Sequence, residues 1–223
     1  MTQIGENEYT FQMPDGNVDI SVQVQERSGT PSGGASFVDM LETDWFYQSV
    51  ATAYERGWIT GTSANTFSPY MTASRGMFVT VLHRIAGEPS AGDNSYFSDV
   101  PLDEYYAAAA AWAAEHGIIS GYGDGRFGPA DNLTREQIVI ILHNYANLIG
   151  MDTTGRNELT QFTDLDQLSA GAQQAMSWAN AVGLISGKGN GILDPAGSAT
   201  RAEMAALLVR FAAMAQTRQE NFQ

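Results

Sequence analysis

Three arginines stand directly after a residue of the kind that starts helices, at Ser74-Arg75, Thr134-Arg135 and Thr200-Arg201. The positive end of the helix dipole disfavours a cation in the first turn, so helix formation does not account for these arginines. A helix N-terminus offers unpaired N–H groups, and a guanidinium adds a planar fork that matches a carboxylate. The three arginines are therefore predicted to contact an anionic ligand. The alternative is that each arginine pairs with an Asp or Glu of a neighbouring part of the chain and acts as a structural clamp.

The segments that follow the arginines have the signals of helices. Thr134 is a good N-cap, and Gln137 three residues later completes a capping box. Thr200 and Glu203 repeat this pair in the last segment. An apolar run at helical spacing follows Gln137, which predicts a helix over about 135–148.

Each arginine belongs to a unit that occurs three times along the chain. A unit starts with Phe-x-Asp, continues with an aromatic helix that ends at a glycine, and then has a loop before the arginine. In the middle unit the first helix is predicted from about Asp103, as its N-cap, to His116, with Gly117 as the residue that ends it. Helix pairs this short cannot bury their apolar faces alone, so the units are expected to pack together, in a closed or an open array. The predicted repeats span residues 37–90, 97–150 and 160–215.

Residues 1–30 have a different pattern. Residues 9–13 and 18–24 alternate in polarity, and Pro14-Asp15-Gly16-Asn17 between them is a turn sequence, which predicts a β-hairpin. Two strands alone are marginal in water, so the hairpin is interpreted as the end of an upstream β-module or as a hairpin that docks on the repeats. The Ser/Gly/Pro-rich residues that follow are a linker by composition.

The repeated motifs resemble the S-layer homology (SLH) domain of Gram-positive, clostridial-type surface proteins. In the middle unit the resemblance is carried by Phe97-Ser98-Asp99-Val100, by the glycine-rich loop over 117–129 and by Leu133-Thr134-Arg135-Glu136. Three copies cover about residues 37–214. The resemblance implies a mainly α fold. Three helix–loop–helix repeats form a pseudo-threefold spindle with a central three-helix bundle and with grooves between adjacent repeats, here preceded by the short N-terminal β-hairpin.

The resemblance also implies a function, the non-covalent anchoring of a surface protein to secondary cell-wall polysaccharide that often carries ketal-linked pyruvate. In that family the arginine of the Thr-Arg-Ala-Glu motif lines the groove and meets the anionic sugar. Only the third repeat keeps this motif intact, because Gln137 and Met77 replace its glutamate in the other two. The three grooves are therefore expected to differ in affinity, with Arg135 and Arg201 favoured over Arg75.

Further residues are candidates for glycan contact. Tyr122 is suited to stacking on a sugar ring, with covering the core as the alternative. Gly123 and Asp124 lie in the loop that would cradle a ligand, although tight turns are the simpler explanation of such glycines. Glu136 stands next to Arg135 in the repeated motif. The remaining candidates, Trp112 and Trp178, lie on alanine-rich helices, where the alternative is a core position.

Composition limits the classes of function. The formal net charge of −14, from 11 Lys+Arg against 25 Asp+Glu, repels nucleic acid and anionic membranes at long range. The chain has no cysteine, which excludes thiolate metal sites and disulfides. No stretch is apolar enough to span a bilayer and no secretory signal is visible at the start. With the resemblance, we expect an extracellular location at the cell wall or S-layer, and neither nucleic-acid binding nor membrane insertion.

Catalysis is not expected from this sequence. Its recurring acidic residues are explained by turns and caps, its histidines lack metal-binding spacing, and neither a Ser/His/Asp order nor a phosphate loop is present. We predict no cofactor and no metal. The alternative to glycan binding is a protein-interaction module that assembles with other S-layer or surface-protein chains without direct glycan contact.

Overall fold

The computed structural model describes residues 37–92 and 96–220, with side chains to residue 216, together with the backbone of three short strands near the N-terminus. The chain divides into two compact units, Met1–Gly33 and Gly34–Gln223, and each is described by itself.

The first unit contains an antiparallel sheet of three strands: β1 Thr2–Gly5, β2 Glu8–Met13 and β3 Gly16–Val18. In the pair formed by β2 and β3, Phe11 lies opposite Val18 and Met13 opposite Gly16. Gly16 and Asn17 thus belong to a strand and not to the predicted turn. Residues 19–24 of the predicted second strand lie outside the described residues.

The second unit is helical, as the sequence predicts. Two short 3-10 turns, Leu165–Gln167 and Ala170–Ala172, precede the fifth helix. Its described residues form six α-helices: α1 Tyr47–Glu55, α2 Arg75–Ile85, α3 Ala107–Glu115, α4 Arg135–Leu148, α5 Gln173–Ala181 and α6 Arg201–Glu220.

The helices pair between repeats. Helix α2 of the first repeat packs on α3 of the second, α4 packs on α5 of the third, and α6 returns to α1 of the first. Backbone bridges reinforce this order, joining Thr72 to Thr200, Ser74 to Asn132 and Thr134 to Ser198. Because the third repeat contacts the first, the array is closed, and the open solenoid is excluded.

Helices α2, α4 and α6 form the predicted central bundle. The bridges join the segments that precede the three helices, and the C-terminal ends of the same helices meet around a cavity of about 480 Å³. Tyr145 of α4 and Phe211 of α6 lie beside this cavity with their ring centroids 5.7 Å apart. The bundle therefore holds all three arginines at one end and an apolar cavity at the other.

The prediction that Asp103 caps the first helix of the middle repeat is wrong. Helix α3 begins at Ala107, and its N-cap Tyr106 makes no side-chain capping bond. Two short turns come first, with the N–H of Glu104 bonded to the carbonyl of Pro101 and the N–H of Ala107 to that of Glu104. These turns carry the Tyr106 ring against Gly76 of α2, where an added Cβ would lie 3.0 Å from it.

The predicted end of the same helix is confirmed. Gly117 has a φ of 65°, a conformation that glycine adopts without the cost of a side chain. The N–H of Ile118 then bonds to the carbonyl of Ala113 at 2.8 Å, which satisfies a carbonyl that the helix leaves free. This turn leads the chain into the loop that faces the arginine of the preceding repeat.

Candidate functional site

Each repeat arginine reaches across to the loop of the next repeat and is only 5% exposed. Its Nε and Nη2 donate to two backbone carbonyls, one near each end of that loop. The clamp predicted as the alternative therefore exists, but its hydrogen-bond acceptors are carbonyls; Arg135 in addition lies 3.8 Å from a carboxylate oxygen of the next repeat, that of Glu203. The bonds are Arg75 to Phe127 (2.8 Å) and Ser120 (3.0 Å), Arg135 to Leu193 (3.1 Å) and Ser186 (2.9 Å), and Arg201 to Phe67 (2.9 Å) and Thr60 (2.7 Å).

The clamps explain why an arginine tolerates the first turn of each helix. Burial lowers the pKa of all three guanidinium groups from the ordinary arginine value, with nearby acidic groups acting in the opposite direction. Two charge-assisted bonds to each loop offset the cost of burying the cation. The arginines thus fix the order of the repeats and leave the Nη1 group, with the second N–H of Nη2, for other contacts.

The helix N-termini are not free to bind an anion, contrary to the sequence argument. In α6, the N–H of Arg201 bonds to the carbonyl of Met71, that of Ala202 to Pro69, and that of Glu203 to the Thr200 hydroxyl. The starts of α2 and α4 are occupied in the same way. Because closure of the ring uses these donors, an anion at the grooves has to be held by side chains.

We name the surfaces at the three arginines by the repeats that they join. The first groove, at Arg75, lies between the first and second repeats. The second groove, at Arg135, lies between the second and third repeats. The third groove, at Arg201, lies between the third and first repeats.

The second groove contains its own network of charges. Lys188 Nζ lies 2.7 Å from Asp194 Oδ2 and 3.4 Å from Glu203 Oε1. Arg135 Nη1 lies 3.8 Å from the same Glu203 oxygen. The other Glu203 oxygen accepts the N–H of Thr200 in the predicted capping box. Two carboxylates therefore already face the cations of this groove.

The third groove has no such network. Its equivalents of Lys188, Asp194 and Glu203 are Thr62, Ser68 and Met77, and the two hydroxyls bond to each other at 2.7 Å. Nη1 of Arg201 contacts the Met77 sulfur at 3.9 Å, and a thioether is a weak acceptor. A cavity of about 80 Å³ opens here, and no carboxylate is among the residues that line it, which include Thr60, Met77, Thr80, Arg84, Tyr105 and Arg201.

Sequence reasoning missed Arg84 and Tyr105 as site residues. Tyr105 is 59% exposed and comes sixty residues after Trp45, which is 64% exposed at the equivalent place in the first repeat. The signal in the sequence is that an aromatic residue recurs at this position when the first two repeats are aligned. Arg84 donates from Nη1 to the carbonyl of Trp58 at 3.2 Å and also lines the cavity of the third groove.

In the first groove aromatic rings cover the arginine. The Arg75 guanidinium lies 5.1 Å from the centroid of the Tyr122 ring and 4.9 Å from that of Phe127. Burial and a hydrogen bond with Asp131 raise the pKa of the Tyr122 hydroxyl, so Asp131 is an acidic neighbour of this groove. Tyr122 itself is 47% exposed, and its uncovered surface remains available for stacking.

The other loop candidates are engaged within the protein. Asp124 accepts from Arg126 Nε at 2.8 Å, in an exposed pair within one loop. Gly123 has a φ of 80°, which fits its alternative role in a tight turn. Glu136 accepts the N–H of Ser169 at 2.9 Å and so ties α4 to the third repeat.

Trp112 and Trp178 occupy core positions. Trp112 is 3% exposed and packs between His83 and Tyr145, with ring centroids 5.1 Å and 5.7 Å away. Trp178 is fully buried, lies 5.2 Å from His143, and donates from Nε1 to a backbone carbonyl. Neither ring presents a face on which a sugar can stack.

The aspartate of each Phe-x-Asp motif holds the far end of its own loop. Asp99 accepts the N–H groups of Phe127 and Gly128 at 2.7 Å and 2.8 Å, so it has a structural role, but across the length of the loop and not within one turn or cap as the sequence predicts. Asp164 binds Leu193 and Asp194 in the same manner. The N–H of Leu193 is the main cause that lowers the pKa of Asp164. These aspartates position the carbonyls that the arginines clamp.

Two other kinds of site were sought in the part of the chain that the structure describes. It contains no group of three or more His, Cys, Asp or Glu side chains placed to hold a metal ion. None of its helices combines the length and the apolar character needed to cross a membrane.

A closed ring of three helix–loop–helix repeats, clamped by one arginine per repeat, defines the class of protein. Residues 36–76, 96–139 and 161–205 each match the S-layer homology domain. The chain belongs to this family, which supports a role in anchoring at the cell wall and a location at the cell surface.

The relatives are larger proteins, and the chain spans less than a quarter of the length of each. It is 30% identical to an endoglucanase of Bacillus sp. (strain KSM-635), over 79% of this chain and 19% of that protein. It is 28% identical to the surface-layer 125 kDa protein of Lysinibacillus sphaericus, over 73% of this chain and 14% of that protein. It is 24% identical to the S-layer protein of Bacillus thuringiensis subsp. finitimus, over 82% of this chain and 22% of that protein.

Proposed function

We propose that the chain anchors a larger surface protein to an anionic secondary polysaccharide of the cell wall, which it binds in the grooves between repeats. The sugar's anionic group, a ketal-linked pyruvate, contacts the arginine side of a groove. The observation that carries this proposal is the third groove, where Arg201 and Arg84 line a cavity without a carboxylate on a chain of net charge −14.

The chemistry of this groove suits a carboxylate on a sugar. Guanidinium groups donate charge-assisted hydrogen bonds to carboxylates, and partial burial strengthens these bonds relative to bulk water. A cavity of about 80 Å³ admits the carboxylate but not a sugar ring, so the ring would lie outside, beside the exposed Tyr105. Aromatic side chains present an apolar face to which the C–H face of a sugar can pack.

We further infer that this chain is not itself an enzyme. The endoglucanase and the other enzyme relatives match it through the S-layer homology region only. Any activity of the protein to which the chain is joined would then be independent of the groove. The function of the chain is to hold that protein at the wall.

The test is binding of the full chain to purified Gram-positive wall polysaccharide before and after mild acid removal of the pyruvate. We expect binding that weakens strongly when pyruvate is removed and when salt is raised, since charge attraction drives it. Equal binding to both polysaccharides would overturn the carboxylate mechanism. Self-association without glycan in sedimentation, with no polysaccharide binding, would favour the alternative of a surface-assembly module.

A further inference from the structure

We propose that the third groove is the anion-binding groove of this chain, that Arg84 and Tyr105 set its specificity, and that the Lys188–Asp194–Glu203 network closes the second groove to anions. This inference rests on the proposed function and deepens it. It differs from the sequence prediction, which favoured Arg135 and Arg201 alike.

Equivalent positions of the second and third grooves hold different side chains. All three grooves share the buried arginine and its two carbonyl partners, so the arginine does not distinguish them. Three equivalent positions beyond the clamp do: they hold Lys188, Asp194 and Glu203 in the second groove, and Thr62, Ser68 and Met77 in the third. Of these residues, Glu203 lies beside Nη1 of Arg135 and Met77 beside Nη1 of Arg201.

These side chains act differently on an incoming carboxylate. In the second groove it would have to displace Glu203 from Arg135 and Lys188, or lie beside two like charges, and both are unfavourable. In the third groove it would replace the weak sulfur contact of Met77, and the aspartate that acts on Arg201, Asp39, has equivalents acting on the arginines of the other two grooves. The first groove is intermediate, because Arg75 is covered by the Tyr122 ring, beside Asp131, in addition to the Phe127 ring, whose equivalent Phe67 covers Arg201.

Arg84 has Asn144 and Arg210 as its equivalents in the other two repeats. All three side chains donate to the carbonyl of the residue that follows the closing glycine of the first helix in their own repeat: Trp58, Ile118 and Leu184. The amide of Asn144 shows that this structural bond needs no charge. The charge of Arg84 is therefore available for the groove, because the one salt-bridge partner it has among the described residues, the exposed Glu88 at 3.9 Å, contributes little.

Tyr105 supplies the remaining contact. It comes from the second repeat and stands at a cavity formed by the first and third repeats, so three repeats meet at this groove. Its ring is exposed, while its neighbour Tyr106, 4.9 Å away, packs against α2. The position corresponds to Trp45 in the first repeat, which provides a matched control.

The experiment compares Arg84→Asn with Arg210→Asn in the full chain. Both variants copy the residue of the second repeat, keep an amide donor for the carbonyl and change net charge equally. The probe is a methyl glycoside that carries a pyruvate ketal, titrated by calorimetry. We expect Arg84→Asn to weaken binding about tenfold or more and Arg210→Asn to bind like the unmodified chain.

A second pair tests the ring. Tyr105→Ala is expected to weaken binding about fivefold to tenfold, and Trp45→Ala to leave it unchanged. Thermal unfolding of each variant separates loss of fold from loss of contact.

The possible outcomes separate the two proposals. Suppose that the unmodified chain binds, but that Arg210→Asn weakens binding as much as Arg84→Asn, or Trp45→Ala as much as Tyr105→Ala. The assignment of the anion site to the third groove is then wrong, and the proposed function stands. If the unmodified chain binds the glycoside no better with the ketal than without it, the proposed function itself fails.

Discussion

The second and third grooves are built on the same arginine clamp, yet they present different surfaces. Arg135 and Arg201 each bond to two loop carbonyls of the next repeat. Beyond the clamp, the second groove holds Glu203 and Lys188, whereas the third holds Met77 and an open cavity. The comparison shows that the repeated arginine holds the ring together, and that the residues around it decide whether an anion can enter.

The largest expected effect is loss of the clamp itself. Arg135→Ala and Arg201→Ala should each lower the free energy of unfolding by about 3–5 kcal/mol, because two buried carbonyls lose their donor and two repeats lose a cross-link. Urea unfolding measures this. Arg156→Ala is the control, since Arg156 is exposed and also bonds to carbonyls, and it should cost less than about 0.5 kcal/mol.

If the clamp acts in both grooves, Arg135→Ala and Arg201→Ala should lose similar amounts of unfolding free energy. A variant Arg201→Ala that is as stable as the unmodified chain would contradict the role of this arginine as a clamp. Loss of glycan binding in these alanine variants would not by itself identify a ligand contact, since the fold is weakened in both.

The next effect comes from exchanging the groove residues. Met77→Glu should place a carboxylate beside Arg201 and complete the capping box that starts at Ser74, so anion binding should fall at least about tenfold while stability is kept or slightly raised. Glu203→Gln copies the second repeat and should open the second groove to an anion. Calorimetric titration with the pyruvylated glycoside measures both changes.

The exchange has a clear failing result. Undiminished binding in Met77→Glu, with Glu203→Gln also unchanged, would show that the residues around the arginine do not control access. The difference between the two grooves would then not explain which of them binds an anion.

A smaller effect concerns the loop of the second groove and its response to acid. The pKa of Asp164 is lowered mainly by the N–H of Leu193, so its stabilisation is fully present above the ordinary value of 3.8 and is lost as pH falls through the lowered pKa. In Asp164→Asn the free energy of unfolding should fall less steeply with acid than in the unmodified chain. The N–H of Asp194 should also lose its carboxylate acceptor. Denaturant unfolding at several pH values tests this. The same loss of unfolding free energy at low pH in the variant and in the unmodified chain would contradict it.

The smallest effect contrasts two equivalent histidines at the helix pairs. His83 Nε2 bonds to the carbonyl of Pro89 at 2.8 Å, whereas His143 Nε2 is buried without a partner among the described residues. Burial, and then the charge of Arg156, lower the pKa of His143 from 6.5. The protein therefore loses stability as the pH is lowered below about 6.5, because this histidine binds a proton more readily in the unfolded chain than in the folded one.

His143→Phe should raise stability slightly, by less than about 1 kcal/mol, and remove that pH dependence, because it eliminates the unpaired Nε2 and loses only the 3.3 Å contact between Nδ1 and Asn147 Nδ2. His83→Phe should lower stability, since it leaves the Pro89 carbonyl without its partner. Thermal unfolding between about pH 5 and 7 compares the two variants. If both substitutions raise stability, or both lower it, the difference between the two histidines is not the one described above.

The fold was largely predictable from local signals and repetition. The capping boxes at Thr134 and Thr200 have the predicted bonds, and Gly117 ends its helix as predicted. These features depend on residues three or four apart. The start at Asp103 was not predictable in this way, because the packing of Tyr106 on another repeat decides where α3 begins.

The candidate site was less predictable because its partners come from different repeats. Nothing near Arg201 in the sequence indicates that the carbonyls of Thr60 and Phe67 are its acceptors. Closure of the ring also uses the helix N–H groups on which the anion argument rested. What the sequence does contain is the difference between Met77, Gln137 and Glu203 at one repeated position, and that difference separates the grooves.

The most direct measurement is a methionine-methyl NMR titration of the full chain with the pyruvylated glycoside. Met77 and Met204 line the cavity of the third groove, Met151 lines the larger cavity at the other end of the bundle, and Met176 lies in the core. We predict saturable shifts of the Met77 and Met204 methyl signals, with Met151 and Met176 unchanged. Shifts confined to Met151, or calorimetric binding that leaves Met77 and Met204 unmoved, would contradict the assignment of the third groove.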